Sequence, residues 1–336
     1  MTAPLRLALI ASNRFPIRQP FAGGLEAHVW HLARSLADLG HRVALFAAPG
    51  SDPDLGCAGL AVRELTLSDA AQADPSMSPL SFMADHHAYL ALMMQLAESG
   101  GAPFDVIHNH SLHHLPVAMA PLVSAPMLTT VHTPPTPWLE SALQMTGGAG
   151  TRLAAVSRHT ARAWRPVAGE IAVVPNGVDS RRWPLGPGGA GLVWFGRFTP
   201  EKAPHLAVEA ALRANRPLVL AGPLSDPVYF ADRIAPRLGD EVRYAGHLDQ
   251  NALARLVGGS AAALVTPTWD EPYGLVIAEA MSCGTPVVAF ACGGIPEIVA
   301  PQGGRLVPPG DVNAMAAAVP AAVALPRIGV HRHAIA

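Results

Sequence analysis

TPTWDEPYGLVIAEAMSCGTPVVAF, residues 266–290, decides how the rest of the chain is read. It leaves an apolar run, AALVTP, and turns through Asp270, Glu271 and Pro272. It then enters a helix near Gly274, ahead of a second apolar run, PVVAF. Strand, turn, helix and strand in that order is the repeating unit of a parallel sheet. Glu271 stands in the turn and Glu279 inside the helix, with seven residues between them. The first amides of a helix have no intrahelical acceptor and favour negative charge, so the backbone at Gly274, Leu275 and Val276 suits an anion. Two carboxylates beside it can grip hydroxyl groups. Taken alone, the two glutamates read more simply as a cap and a solvated helical residue.

Outward from this stretch the same alternation fills the chain. In the first half LRLALIA, RVALFAA, DVIH, MLTTV, RLAAV and IAVV read as strands; in the second half GLVWF, PLVLAG, VRYAG, AALVTP, PVVAF and GRLVPP do. GLEAHVWHLARSLADLG reads as a helix. Its Leu25, Val29, Leu32, Leu36 and Leu39 recur at helical spacing, and Gly40 ends it. A chain of 336 residues exceeds what one core usually supports. Turn-forming residues cluster without periodicity over 178–190. The expected architecture is therefore α/β: two Rossmann-like, doubly wound parallel-sheet domains, 1–177 and 191–336, joined by a linker at 178–190 and facing across a cleft. In such sheets ligands sit beyond the carboxyl ends of the strands.

Composition narrows the function. Half the residues are hydrophobic, 14% are charged and the net charge is −2. A folded, well-buried protein fits this, and a nucleic-acid partner does not. Cys57, Cys283 and Cys292 are too few and too scattered for a disulfide framework or a zinc site, so a reducing, cytoplasmic setting is expected. The first apolar run is short for a secretion signal and reads as a buried strand. The tail VNAMAAAVPAAVALP is too short for a bilayer span and holds two prolines. Of 23 basic residues, only Lys202, in GRFTPEKAPH at 196–205, is lysine; the other 22 are arginine.

Other segments could carry chemistry. Gly23 and Gly24 open the helix after the first strand, where the backbone can approach a phosphate. No GxGxxG is present, so a dinucleotide reading is weak. His132 follows a strand end in TTVHTPP. IHNHSLHH holds His108, His110, His113 and His114, and His86 and His87 precede it. Imidazole is a common metal ligand, yet no carboxylate or cysteine accompanies these residues at ligand spacing. They are read as lining the cleft, and no metal is expected. Asp52-Pro53-Asp54 is formally a DxD motif in a turn-rich loop and is taken as coincidence.

The stretch 266–290 resembles the signature of glycosyltransferase family 4, the retaining GT-B enzymes, through Glu271, Tyr273, Gly274, Glu279, Ala280, Gly284, Pro286 and Val287. GGLEAHVWHLARSLADLGHRV, TTVHTPP, AVSRHTA, VPNGVD, GRFTPEKAPHLAVEAA and GGIPEIV are similar to further segments of that family in the same order. The resemblance implies a GT-B fold and transfer of a sugar from a nucleotide-diphosphate sugar, a UDP-sugar by preference, to an acceptor the sequence does not identify. It implies that Glu279 holds the ribose hydroxyls and Glu271 the donor sugar. Amides near Gly274 to Val276 would bind phosphate, Tyr273 and the glycine pair would border the donor, and Arg197 and Lys202 would neutralise the diphosphate. His132 would meet the donor sugar, and His108, His110 and His113 would line the acceptor side. Cationic side chains would replace a divalent ion, no cofactor is needed, and peripheral membrane contact is compatible with the family. A sugar-nucleotide epimerase, a glycoside hydrolase and a non-catalytic binding protein are the rivals. The family's final helix, crossing back onto the first domain, is expected to be missing, since PRIGVHRHAIA shows no helical pattern.

Overall fold

The structure is a computed structural model, and it describes residues 3–60, 64–98 and 103–336. The chain forms two compact units. One comprises Met1–Arg18, Leu25–Ala155 and Ala161–Val173; the other comprises Gln19–Gly24, Val156–Thr160 and Val174–Ala336. Each is an α/β unit built on a six-stranded parallel sheet, as the alternation of apolar runs and helices demands.

All twelve apolar runs become strands. In the first unit these are β1 (Arg6–Ile10), β2 (Arg42–Phe46), β3 (Val106–Asn109), β4 (Met127–Val131), β5 (Thr151–Ala155) and β6 (Ala172–Val173). In the second they are β7 (Leu192–Phe195), β8 (Leu218–Ala221), β9 (Val242–Tyr244), β10 (Ala262–Val265), β11 (Val287–Phe290) and β12 (Gly304–Val307). The strand orders are β2-β1-β3-β4-β5-β6 and β12-β11-β10-β7-β8-β9. The order therefore reverses between β1 and β3 in the first sheet and between β7 and β10 in the second. The loops after those strands leave in opposite directions and open a crevice at each sheet's carboxyl edge.

The second sheet is buried on both faces, and its sequence shows the two-residue period of a strand. Leu192, Trp194, Leu218, Leu220, Leu264, Val288 and Phe290 pack with helices Pro204–Arg213 and Val312–Val323. Val193, Phe195, Ala263, Val265, Val287 and Ala289 pack with helices Gln250–Gly258, Leu275–Ser282 and Arg327–Ile335. Burying each large aliphatic or aromatic side chain contributes roughly 1.5–3 kcal/mol. Residues 183–190 are fixed to this unit. Trp183 is in its core, and the amides of Gly186 and Gly188 donate to the carbonyls of Cys283 and Gly258.

The helix expected over GLEAHVWHLARSLADLG forms at Gly24–Asp38; it buries Val29 of the apolar set together with Glu26, Ala27, Trp30 and Ala33, and Leu39 lies beyond its end, exposed. One expectation needs correction, at 327–335, which is helical although its sequence shows no amphipathic period. Much of what fixes this helix is polar. The Arg327 guanidinium donates to the carbonyls of Gly186, Ser260, Gly258 and Cys283 and to the Thr285 hydroxyl, at 2.8–3.2 Å. Val330 alone of its residues is fully buried. Among the described residues no single helix is long and apolar enough to cross a membrane.

Arg327→Ala is expected to destabilise the second unit by about 2–3 kcal/mol, because charge-assisted bonds to buried carbonyls are lost together. Arg327→Lys should recover only part, since one ammonium cannot fan out over five acceptors. Urea titration followed by tryptophan fluorescence measures both. An unchanged midpoint for Arg327→Ala would show that the helix does not depend on this side chain.

Candidate functional site

In the second unit the crevice is bordered by the loop after β7, residues 196–203, and the loop after β10, residues 266–274. Phe198 is buried and anchors the first loop, and Ala203 is left-handed at φ +47° where the loop enters helix Pro204–Arg213. The Thr266 hydroxyl joins the loops. It accepts from Trp194 Nε1 at 3.1 Å and shares its proton between the carbonyls of Lys202 and Ala203 at 3.1 and 3.0 Å. Thr268 adds a backbone bond, its amide donating to the Glu201 carbonyl at 2.9 Å.

These ties bring Lys202 onto Glu271. Lys202 Nζ donates to Glu271 Oε2 at 2.5 Å, and Trp269 Nε1 donates to the same oxygen at 3.0 Å. The ammonium also lies 5.1 Å from the centre of the Trp269 ring. Arg197 pairs with Glu201 at 3.4 Å rather than with Glu271. On the far side, Gly294 N donates to the Glu271 carbonyl at 2.7 Å. Gly274, left-handed at φ +97°, turns the chain into helix Leu275–Ser282, whose first turn presents the amides of Leu275 and Val276. Tyr273 is buried beside it. Glu279 lies further along the helix. Burial alone pushes its carboxyl up to about 8, so at neutral pH it is largely protonated.

The loop Gln19–Gly24 belongs to this unit. The Gln19 side chain accepts from the Gln250 amide at 3.2 Å, and His247 Nε2 bonds the Phe21 carbonyl at 2.8 Å. A side chain at Gly24 would meet Leu275 Cδ1 at 3.4 Å, so this glycine sits against the start of helix Leu275–Ser282. The structure therefore gathers Gly24, Glu271, Gly274, Leu275 and Lys202. Glu297, which the sequence reading passed over, accepts from the amides of Arg158 and His159 at 2.8 and 2.6 Å and holds segment 156–160 on the same unit.

In the first unit β3 and β4 are neighbours, and residues two apart share a face. His108 and His110 therefore meet Thr130 and His132. His108 Nε2 bonds Thr130 Oγ1 at 2.8 Å, and His110 Nδ1 lies 3.0 Å from His132 Nε2. His28, not singled out by the sequence, completes the group from helix Gly24–Asp38. Its ring centre is 5.3 Å from that of His110 and 5.2 Å from that of His132. The topology supplied the missed signal: the helix after β1 lies along the reversal between β1 and β3, so its first turn faces the loops there. Burial first, then the neighbouring rings, holds His28 and His108 at about 4 and His110 and His132 well below the usual imidazole range. Buried His110 also has a ring nitrogen, Nε2, with no hydrogen-bond partner. Such an atom costs roughly 1–3 kcal/mol.

His113 is not in this group. It stacks on Tyr89 and His114, and His114 stacks on the exposed Trp138. Asp52 of the DxD motif accepts from Trp30 Nε1 at 2.9 Å and from the Asp54 amide at 3.1 Å. That is a structural cap.

Residues 22–182 match the family described as Glycosyltransferase Family 4, and residues 189–324 match that described as Glycosyl transferases group 1. A glycogen synthase of Mycobacterium tuberculosis is 31% identical over 88% of this chain and 81% of its own length. D-inositol 3-phosphate glycosyltransferase 2 of Catenulispora acidiphila is 30% identical over 94% and 86%. Among solved structures, AviGT4, a glycosyltransferase involved in avilamycin A biosynthesis, superposes with a TM-score of 0.68 at 25% identity, covering 99% of this chain and 92% of that one.

Gly293 lies under Glu271. It is left-handed at φ +58°, and a side chain there would come within 2.2 Å of the Glu271 carbonyl oxygen. Gly293→Ala is expected to displace Glu271 and destabilise the fold by more than the ~1 kcal/mol that left-handed strain costs. Gly310→Ala, left-handed at φ +76° but with open space around it, isolates that strain. Equal thermal midpoints for the two variants would sink the claim.

Proposed function

Because the chain belongs to glycosyltransferase family 4, we propose that it moves a sugar, with retention at the anomeric carbon, from a UDP-sugar to an acceptor. The observation that carries this reading is the Lys202–Glu271 contact at the reversal of the second sheet, beside the first turn of helix Leu275–Ser282. There a compact cation, a carboxylate and helix-end amides stand together, a set suited to a diphosphate and to sugar hydroxyls.

In this proposal the diphosphate takes over Lys202, and Glu271 turns its oxygens to hydroxyls of the transferred sugar. Lys202, Arg197 and the amides of Gly274 to Val276 stabilise negative charge as it builds on the leaving diphosphate. They act where many transferases use a divalent ion, so none is required and no cofactor is invoked. Gly23 and Gly24 let the backbone approach the diphosphate, and Tyr273 borders the donor. The roles of His132, at the donor sugar, and of His108, His110 and His113, toward the acceptor, come from the family resemblance. A cytoplasmic setting belongs to the same proposal.

The test is donor turnover, screened across sugar nucleotides with excess EDTA present. Lys202→Ala should lower the rate tenfold to about a hundredfold, the size of one charge-assisted bond, and Lys202→Arg should restore part of it. Abolition by EDTA with rescue by manganese would overturn the metal-independent part. Wild-type kinetics in Lys202→Ala would overturn the role of the cation.

Glu279 generates a pH signature. Its proton, held to about 8 in the free protein, must leave if the carboxylate is to accept from ribose hydroxyls. Nucleoside diphosphate affinity should therefore rise with pH from neutrality and level off above about 8, with up to one proton released per nucleotide bound near neutral pH. Calorimetry in buffers of different ionisation enthalpy reads this. Glu279→Gln should remove the pH dependence, whereas Glu271→Gln should keep it and lose turnover. Affinity that falls with rising pH would mean that the protonated carboxyl is the binding form.

A further inference from the structure

We infer that His28, His110 and His132 form a binding site for one divalent transition-metal ion of the zinc class, with a fourth coordination position left open. One ligating atom from each residue lies within 4.8 Å of those of the other two. The ring centres form a nearly equilateral triangle with sides of 5.2–5.3 Å. In a tetrahedral zinc site, Zn–N bonds of 2.0–2.1 Å put pairs of nitrogens about 3.3 Å apart. The His110–His132 pair stands at 3.0 Å. The remaining ligand atoms need close by no more than about 1.5 Å to reach that spacing, which imidazole rotation supplies.

The donor set decides the class of ion. Three imidazoles without a carboxylate suit zinc, cobalt, nickel or copper and disfavour magnesium and calcium, which take oxygen ligands. His110, fully buried, meets His132 through Nδ1, which leaves its Nε2 outside that contact and without a partner in the protein. His108, beside it at 3.9 Å between ring centres, is anchored to Thr130 and stands as a wall to the site. The other imidazole group, His86, His113 and His114, is built by ring contacts, His113 and His114 stacking on each other and on Tyr89 and Trp138, and His86 meeting both at an angle.

The ion has no part in sugar transfer as proposed above. It competes with transfer, because an ion bound here withholds His132 and His110. That consequence rests on the roles proposed for these two residues; the metal site itself does not.

The experiment uses the full chain, stripped with chelator and dialysed against zinc ion alone. One zinc per chain is expected at micromolar concentration, and cobalt(II) in its place should show the intense visible bands of a four-coordinate centre. His28→Ala and His110→Gln should each weaken zinc at least about tenfold to a hundredfold, since loss of even an outer-shell partner costs that much. The double variant His86→Ala/His114→Ala should bind as wild type. Circular dichroism and nucleotide binding establish that each variant is folded. Absence of zinc binding, or zinc that follows His86 and His114 instead, overturns the site. Transfer is then assayed with and without zinc. Inhibition that disappears in His28→Ala supports both readings. Zinc bound without inhibition sustains the site and removes His132 from the sugar. Transfer without any zinc binding overturns the site and leaves the transferase reading intact.

Discussion

The Thr266 hydroxyl is the point on which the site of the second unit depends. Parallel strands emit their loops at one edge, and where strand order reverses the two nearest loops diverge. Divergence makes room for a ligand and also separates the residues that must hold it. Thr266 offsets this by accepting from Trp194 on β7 and donating to the backbone of the β7 loop. Lys202 and Glu271, 69 residues apart in sequence, become neighbours through that bond. The hydroxyl is nearly inaccessible to water, so the bond has no solvent competitor.

Sequence and structure divide along physical lines. The twelve strands were legible because a strand buried on both faces must be a short apolar run between turn formers, and each run has that form. Lys202 and Glu271 were legible as candidates, from composition and from family resemblance. Their mutual contact was not, since it needs the register of two strands and the Thr266 tie. Trp269 and Glu297 stayed hidden for the same reason: each bonds a partner that only the folded loops bring near. His28 was masked by a helical pattern that explained it too easily.

The helix at 327–335 failed to show for a different reason. Propensity and amphipathic period report on helices held by an apolar stripe. This one is held by Val330 in the core and by polar side chains on backbone carbonyls, Arg327 above all with His331 and His333, a set without sequence periodicity. The histidine-rich stretch shows how little adjacency says about grouping. His110 and His113 are three residues apart, yet one joins His132 and the other stacks on Tyr89. The strand pairing runs on through His110, whose amide donates to the Ile10 carbonyl, and beyond it the two-residue alternation no longer governs where side chains go.

The pairing of Lys202 with Glu271 also acts as a toll on entry. Each charge already has a partner within the protein, so an incoming molecule must exchange partners rather than fill a vacancy. A ligand that brings both an anionic group and hydroxyls can re-satisfy both ends at once, and the exchange costs little. A free sugar offers hydroxyls to the carboxylate and nothing to the ammonium. Inorganic phosphate does the reverse. Either would leave one partly buried charge stranded, a penalty of the kind that separates a polar pocket's proper ligand from its fragments by orders of magnitude. On the function proposed for this site, discrimination against half-substrates is written into the resting state, before any contact with the intact donor is made.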